Sequence, residues 1–96
     1  MYAVIFRAEL NSIDEQYHQM AAQLRTLALS RYGCVEFTSV NEGDNEIAIS
    51  YWNSEQDIQA WRQDETHQAA QKLGREKWYC NYRVDVVEVK RQYHSS

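Results

Sequence analysis

Hydrophobic and polar residues alternate in four stretches of this chain, and alternation with a period of two predicts β-strands. The stretches are residues 2–9, 34–41, 46–52 and 78–89. In the first strand, Val4 and Phe6 share one face and Arg7 lies on the other. Gly43 supplies the residue that a tight hairpin between the second and third strands needs.

The fourth strand is the longest and carries most of the aromatic residues near the C-terminus. Simple alternation sends Trp78 and Tyr82 to one face and Tyr79 to the other. The consecutive residues Val86 and Val87 predict a bulge that shifts the phase of the strand.

Between the first and second strands, apolar residues recur every three or four positions, which predicts an amphipathic helix. Ser12 and Glu15 have the spacing of a capping box at its start, and Gly33 is suited to end it with a left-handed residue. The apolar stripe consists of Ile13, Tyr17, Met20, Ala21, Leu24, Leu27 and Ala28.

A second helix is predicted between the third and fourth strands. Asn53 or Ser54 caps its start, with Asp57 placed to complete a capping box for Ser54. Asp64 has the character of a second cap, so the helix is expected to break near Gln63 and restart. Gly74 is the expected stop. The predicted inner face is Ile58, Trp61, Ala69 and Leu73.

The resulting order, β-α-β-β-α-β, predicts an α+β, ferredoxin-like fold with a four-stranded antiparallel sheet and both helices on one face. Residues 1–90 form a single domain in this prediction, and residues 91–96 form a polar C-terminal tail. The second face of the sheet carries Ile5 and other apolar residues that the helices cannot cover. Two copies packed through these faces would bury them, which predicts a homodimer.

Charge and cysteine content exclude several classes of function. A net charge of −4 and dispersed basic residues argue against nucleic-acid binding. The N-terminus has the pattern of neither a signal peptide nor a membrane span, so we expect a cytoplasmic protein that does not bind membranes. Cys34 and Cys80 are too few for a zinc site or a disulfide scaffold, and they are expected to be free thiols at opposite edges of the sheet.

His67 is the one histidine in a plausible pocket context. Its imidazole is either a general base or hydrogen-bond donor, or a helix-surface group that contacts Glu65, solvent or a second subunit. Trp61 is either core or pocket wall, and Trp52 is either a cover over the core or a stacking platform. Tyr17 and Tyr51 are able to offer hydroxyl groups to a pocket.

Arg7 lies on the face predicted to meet a second copy. An unpaired charge buried there would be costly, so we expect it to pair with a carboxylate of Glu9, Glu36 or Asp85.

Several short motifs follow one another along the chain in an order that resembles a known protein family. The motifs are Tyr51-Trp52-Asn53-Ser54, Ala60-Trp61, His67-Gln68-Ala69-Ala70, and Trp78-Tyr79 with Tyr82. Together they resemble the antibiotic biosynthesis monooxygenase domain, and the resemblance runs from Tyr2 to about Val89. It implies a dimeric α+β barrel with a pocket between sheet and helices in each subunit. Some members oxidise polycyclic aromatic compounds with O₂ and use neither metal nor flavin, whereas others degrade haem, isomerise small molecules or have no known activity.

The resemblance to the haem-degrading members fails at two positions. Those members place an asparagine on the first strand, a tryptophan on the second helix and a haem-ligating histidine ten positions later. Trp61 matches the tryptophan, but Phe6 and Gln71 stand at the other two positions. Neither side chain has the required chemistry, so haem degradation is not expected.

The sequence therefore predicts a monooxygenase without metal or cofactor that acts on a small planar or aromatic compound, and it leaves open whether the chain is catalytic. His67 is the candidate catalytic residue. The predicted substrate pocket consists of Phe6, Tyr51, Trp52, Trp61 and Tyr82. The alternatives are a dimeric barrel that binds a small ligand without catalysis and a stress-related protein of the same fold.

Overall fold

An antiparallel sheet of four strands forms one layer of the molecule, and its helices form the other. The computed structural model describes residues 1–95, so the last residue of the predicted tail lies outside the described residues. The elements in chain order are β1 (Tyr2–Leu10), α1 (Glu15–Ser30), β2 (Glu36–Glu42), β3 (Asn45–Trp52), α2 (Glu55–Gln63), α3 (Glu65–Leu73) and β4 (Tyr79–Glu88). The strand order is β2-β3-β1-β4, so the predicted ferredoxin-like fold is confirmed and β2 and β4 form opposite edges. Within residues 1–95, no helix has the length and apolar character needed to cross a membrane.

The register of the central strands decides which residues meet the helices. Val4 of β1 pairs with Ser50 on one side and Val86 on the other, so these three side chains share the helix-facing side. Trp52 is fully buried on that side and packs with residues of α1 and α2. A second, smaller core cluster consists of Leu10, Tyr17 and Trp78.

The predicted break in the second helical segment is confirmed. Ser54 caps α2 by accepting a hydrogen bond from the backbone N–H of Asp57 at 3.2 Å. The Asp64 carboxylate caps α3 by accepting from the N–H of Thr66 at 2.8 Å. The restart changes the helical phase, so Ala70 is buried and Ala69, which was expected on the inner face, is exposed.

The start of α1 differs from the prediction. Its cap is Asp14, whose carboxylate accepts from the backbone N–H of Tyr17 at 2.9 Å. Ser12 lies too early for this role because the helix begins at Glu15, and Ile13 is consequently exposed rather than part of the apolar stripe. Gly33 adopts a left-handed φ of 79°, as expected for a residue that redirects the chain after the helix.

The segment between α3 and β4 contains two further differences. Gly74 does not end the helix with a left-handed turn, because its φ is −59° and the chain continues as a π-helical turn, Gly74–Trp78. Trp78 therefore lies outside the strand. The register of β4 shifts opposite Glu9 and Leu10. The bulge expected at Val86 and Val87 is absent, because these residues pair with Val4 and Ala3 of β1 in continuous register.

The face of the sheet opposite the helices is apolar at its centre and charged near β4. Ile5 and Ile49 are direct cross-strand partners there. Arg7 is exposed and stands opposite Arg83, whose guanidinium Nε lies 3.0 Å from the Asp85 carboxylate. Asp85, one expected partner of Arg7, is thus already engaged within the chain.

The two cysteines occupy different environments. Cys34 is buried just before β2, and Cys80 is exposed on β4. Both are free thiols, as predicted.

Candidate active site

A cavity of about 320 Å³ lies between the helix-facing side of the sheet and the helices. This volume is at the lower end of the range of small-molecule sites, which is about 300–1,000 Å³. Its walls are mostly apolar and aromatic. The sheet contributes Val4, Phe6, Phe37, Ser39, Glu46, Ala48, Tyr79, Tyr82 and Val84, and the helical segments contribute Tyr17, Met20, Ala21, Ala22, Leu24, Arg25, Trp61, Arg62, His67, Ala70, Gln71 and Trp78.

Four of the six residues predicted for the site line this cavity: His67, Phe6, Trp61 and Tyr82. Tyr51 lies on the opposite side of the sheet, since its cross-strand partners are Ala3 and Glu36 and the helix-facing positions of β3 are the even-numbered ones. Trp52 faces the helices but lies in the core behind the cavity.

Trp61 forms a wall of the cavity that is fixed on several sides. Its indole N–H donates to the backbone carbonyl of Leu24, with a nitrogen-to-oxygen distance of 3.2 Å. The ring of Trp52 packs against it at a centroid distance of 5.2 Å. The Trp52 indole N–H in turn donates to the Ser50 hydroxyl at 2.8 Å. Trp52 therefore supports the cavity wall without lining it.

His67 presents a largely buried imidazole to the cavity from the first half of α3. Its Nδ1 atom is buried and has no hydrogen-bond partner within residues 1–95. Burial lowers the pKa of His67 to about 4, and the nearby positive charge of Arg62 acts in the same direction. The imidazole is therefore neutral near pH 7, with one ring nitrogen free to accept a hydrogen bond. It accepts a proton more readily beside a substrate anion, because the negative charge stabilises the imidazolium and raises its pKa.

A second polar group in the cavity, the Glu46 carboxylate, was not predicted from the sequence, whereas Tyr17, which was expected to offer a hydroxyl group to a pocket, does line the cavity. The Tyr17 hydroxyl donates a short hydrogen bond to the Oε2 atom of Glu46, which is only 7% exposed. Burial raises the pKa of the Glu46 carboxyl, and the hydrogen bond from Tyr17 offsets part of this effect. Burial and the neighbouring carboxylate both raise the pKa of Tyr17.

Alternation along β3 places Glu46 on the same side as Ser50 and Trp52. The sequence therefore contained the information that Glu46 faces the helices, although the prediction did not use it. Alternation gave no indication of its partner, because Tyr17 is 29 residues away in sequence.

Aromatic rings form the end of the cavity next to Glu46. The rings of Phe6, Tyr79 and Tyr82 contact one another pairwise. The centroid distance is 5.4 Å for Phe6–Tyr79 and 5.9 Å for each of the other two pairs. Tyr79 and Tyr82 lie on the same side of the sheet, contrary to the prediction, because the register of β4 shifts between them. Burial is the main cause that raises the pKa of Tyr79, and the charge of Glu46 contributes.

The two positions that distinguish this chain from the haem-degrading pattern, Phe6 and Gln71, both line the cavity. Among the described residues, no three His, Cys, Asp or Glu side chains are grouped in a way that would hold a metal ion.

Comparison with solved structures shows that this architecture recurs at low sequence identity. Rv0793 from Mycobacterium tuberculosis superimposes with a TM-score of 0.83 at 14% identity, over 97% of this chain and 98% of that one. SnoaB, a cofactor-independent oxygenase from Streptomyces nogalater, superimposes with a TM-score of 0.79 at 10% identity, over 95% of this chain and 94% of that one. These similarities establish the shared fold.

Sequence comparison gives a closer relationship. The uncharacterized protein YqjZ of Bacillus subtilis (strain 168) is 40% identical over 92 residues, which are 95% of this chain and 81% of that protein. The sequence profile of the family described as antibiotic biosynthesis monooxygenase matches residues 1–73. The chain therefore belongs to the antibiotic biosynthesis monooxygenase family.

Proposed function

We propose that this protein is a monooxygenase that oxidises a small planar or aromatic compound with O₂, without metal or flavin. The observation that carries the proposal is the neutral imidazole of His67 in an aromatic-walled cavity of about 320 Å³, where its buried Nδ1 has no hydrogen-bond partner in residues 1–95. Family membership and the structural similarity to SnoaB, a cofactor-independent oxygenase, support the same reaction class.

In this reaction the substrate itself is the electron donor, so it must first become an electron-rich anion. His67 accepts the hydroxyl proton of a phenol that is the enol form of a ring ketone; in this form the CH₂ group of the ketone has already lost one hydrogen, and the anion carries negative charge on that carbon. The anion passes one electron to O₂, and the resulting carbon radical and superoxide combine to form a C–O bond. The peroxide takes up a proton and its O–O bond breaks as the carbon loses its remaining hydrogen, so CH₂ becomes C=O and the second oxygen leaves as water.

The cavity walls hold the substrate during these steps. Trp61 and Phe6 offer flat apolar surfaces to a ring, and Tyr82 packs beside Phe6 at a centroid distance of 5.9 Å. An apolar surrounding also favours electron transfer from the anion, because water does not stabilise its charge. The small volume favours a compound of one or two fused rings.

The experiment is a thermal-shift screen with planar phenols, quinones and haem, followed by measurement of oxygen uptake with each compound that binds. We expect a phenol to stabilise the protein and to consume one O₂ per molecule of product formed. His67→Gln should keep binding and lose most of the turnover, since general-base catalysis contributes about 10²–10⁴-fold. Full turnover in His67→Ala would contradict the assigned role. Binding without oxygen uptake for any compound would favour the alternative of a non-catalytic ligand-binding protein.

We further propose that the protein acts as a homodimer joined through the outer face of the sheet. That face carries Ile5 and Ile49 at its centre, and Val40 and Val87 are 58% and 38% exposed on its flanking strands. Exposed apolar residues grouped on one face of a sheet are typical of an interface between protein chains.

A further inference from the structure

Glu46 is a buried acidic residue, and removing its side chain from water costs free energy of desolvation. It lies on β3 between Asn41 of β2 and Ala8 of β1, on the side of the sheet that meets the helices. Its side chain lines the cavity together with the aromatic residues Tyr79 and Tyr82. A leucine at this position would extend the apolar wall without any desolvation cost.

Among the residues that the structure describes, the carboxylate of Glu46 also lacks a cationic partner. The salt bridges within residues 1–95 join Lys77 to Asp14 and Arg83 to Asp85, so neither involves Glu46. Its partner is the neutral hydroxyl of Tyr17, which donates to Oε2. A buried carboxylate can accept more than one hydrogen bond, so this arrangement leaves accepting capacity at the cavity wall.

Tyr17 fixes the orientation of this carboxylate. The Tyr17 ring is buried and packs edge-on against Trp78 at a centroid distance of 5.5 Å, and its backbone N–H is held by Asp14 in the first turn of α1. The hydroxyl is therefore held in place to bind one carboxylate oxygen and to leave the other for a ligand.

We propose that Glu46, oriented by Tyr17, is a second polar anchor of the cavity and binds a hydroxyl group of the ligand as a hydrogen-bond donor. The ligand class is then a ring compound with a hydroxyl group directed at Glu46, in addition to the acidic group directed at His67. This assignment rests on the proposed function only in taking the cavity as the substrate site, since the anchor acts in binding and needs no turnover.

The test compares two ligands that share one hydroxyl group for His67 and differ only in a second hydrogen-bond donor, 2,7-dihydroxynaphthalene and 7-methoxy-2-naphthol. Binding is followed by quenching of tryptophan fluorescence, because Trp61 and Trp78 both line the cavity. We expect the wild-type protein to bind the dihydroxy compound about tenfold more tightly, as a hydrogen bond to a carboxylate predicts. Glu46→Gln keeps an acceptor oxygen but removes the charge, so it should reduce this preference to about threefold or less while leaving the affinity for 7-methoxy-2-naphthol the same or higher.

Glu42→Gln is the matched control, because Glu42 belongs to the same hairpin and is exposed. It should keep the wild-type preference. Should Glu46→Gln fold poorly, the double variant Tyr17→Phe/Glu46→Leu removes both polar groups together, which a protein tolerates better than the loss of one partner. It should bind the two ligands equally.

Three results would overturn the proposal. The first is that the wild-type protein binds the two ligands with equal affinity. The second is that Glu46→Gln loses affinity for both ligands to the same extent, which indicates a purely structural role. The third is that neither ligand binds up to its solubility limit. An intact preference without any oxygen uptake would support the anchor and count against the oxygenase, so the two proposals fail separately.

Discussion

The imidazole of His67 packs edge-on against the indole of Trp61, with ring centroids 4.4 Å apart and ring planes inclined by 78°. Trp61 belongs to α2 and His67 to α3, so the contact spans the break between the two helices. The break at Asp64 therefore does more than end a helix. It changes the direction of α3 relative to α2, and His67 of α3 therefore contacts Trp61 and reaches the cavity.

The first prediction concerns the protonation of His67. Its pKa of about 4 lies below the ordinary value of 6.5 because the ring is buried and Arg62 is near. As the pH falls through 6.5, the unfolded chain takes up a proton at this residue and the folded chain does not. The free energy of unfolding should therefore decrease between pH 6.5 and pH 4, by on the order of 3 kcal/mol for this residue.

Urea unfolding at pH 7 and pH 4.5 measures this effect when the wild-type protein is compared with His67→Gln. The variant should lose less stability on acidification, since glutamine does not titrate. His18→Gln makes the same substitution at an exposed position of α1 and is the control for the replacement itself. Equal pH dependence of wild type and His67→Gln would argue that the imidazole is not buried in solution.

The second prediction concerns the cap of α3. Asp64 accepts hydrogen bonds from the N–H of Thr66 and from the hydroxyl of Tyr32, the latter at 2.6 Å. Asp64→Ala removes both, so we expect the melting temperature to fall by about 4–8 °C. Asp64→Asn keeps an acceptor for Thr66 and should recover a large part of this loss. Differential scanning calorimetry provides the measurement, and a drop of equal size in both variants would show that charge, not capping, stabilises the break.

Local sequence signals predicted the strand–helix order and the helix break because both depend on neighbouring residues. Ser54 and Asp64 bind backbone groups two or three residues away, and alternation along β1 is a property of the backbone itself. The errors fall where distant residues decide. Tyr79 reaches the cavity because a register shift realigns β4 with β1, and Glu46 acquires its role from a tyrosine on another element. No periodic pattern within the chain carries that information.

The third prediction concerns the π-helical turn. A Cβ atom at Gly74 would lie 2.7 Å from Cδ2 of Tyr79, although the backbone there has an ordinary right-handed conformation. Gly74→Ala should therefore destabilise the protein by displacing the Tyr79 ring, even though alanine is otherwise favoured over glycine in a helix by about 1 kcal/mol. In a Tyr79→Ala background, the same substitution should become neutral or stabilising. Urea unfolding of the four proteins in this cycle measures the coupling, and an equal effect in both backgrounds would remove Tyr79 as the reason for the glycine.

The last prediction tests the proposed dimer. Ile49 lies at the centre of the outer face of the sheet, with Ile5 of β1 and Thr38 of β2 as its cross-strand partners. If two copies meet through this face, Ile49→Arg buries one positive charge from each copy at the interface, and the dimer should dissociate. Analytical ultracentrifugation should then show a monomer, and the circular dichroism spectrum should be that of the folded protein. Gln23→Arg adds the same charge at an exposed position of α1 and should leave the dimer intact. A dimer that survives Ile49→Arg would place the interface elsewhere, and the exposed valines of this face would then need another partner.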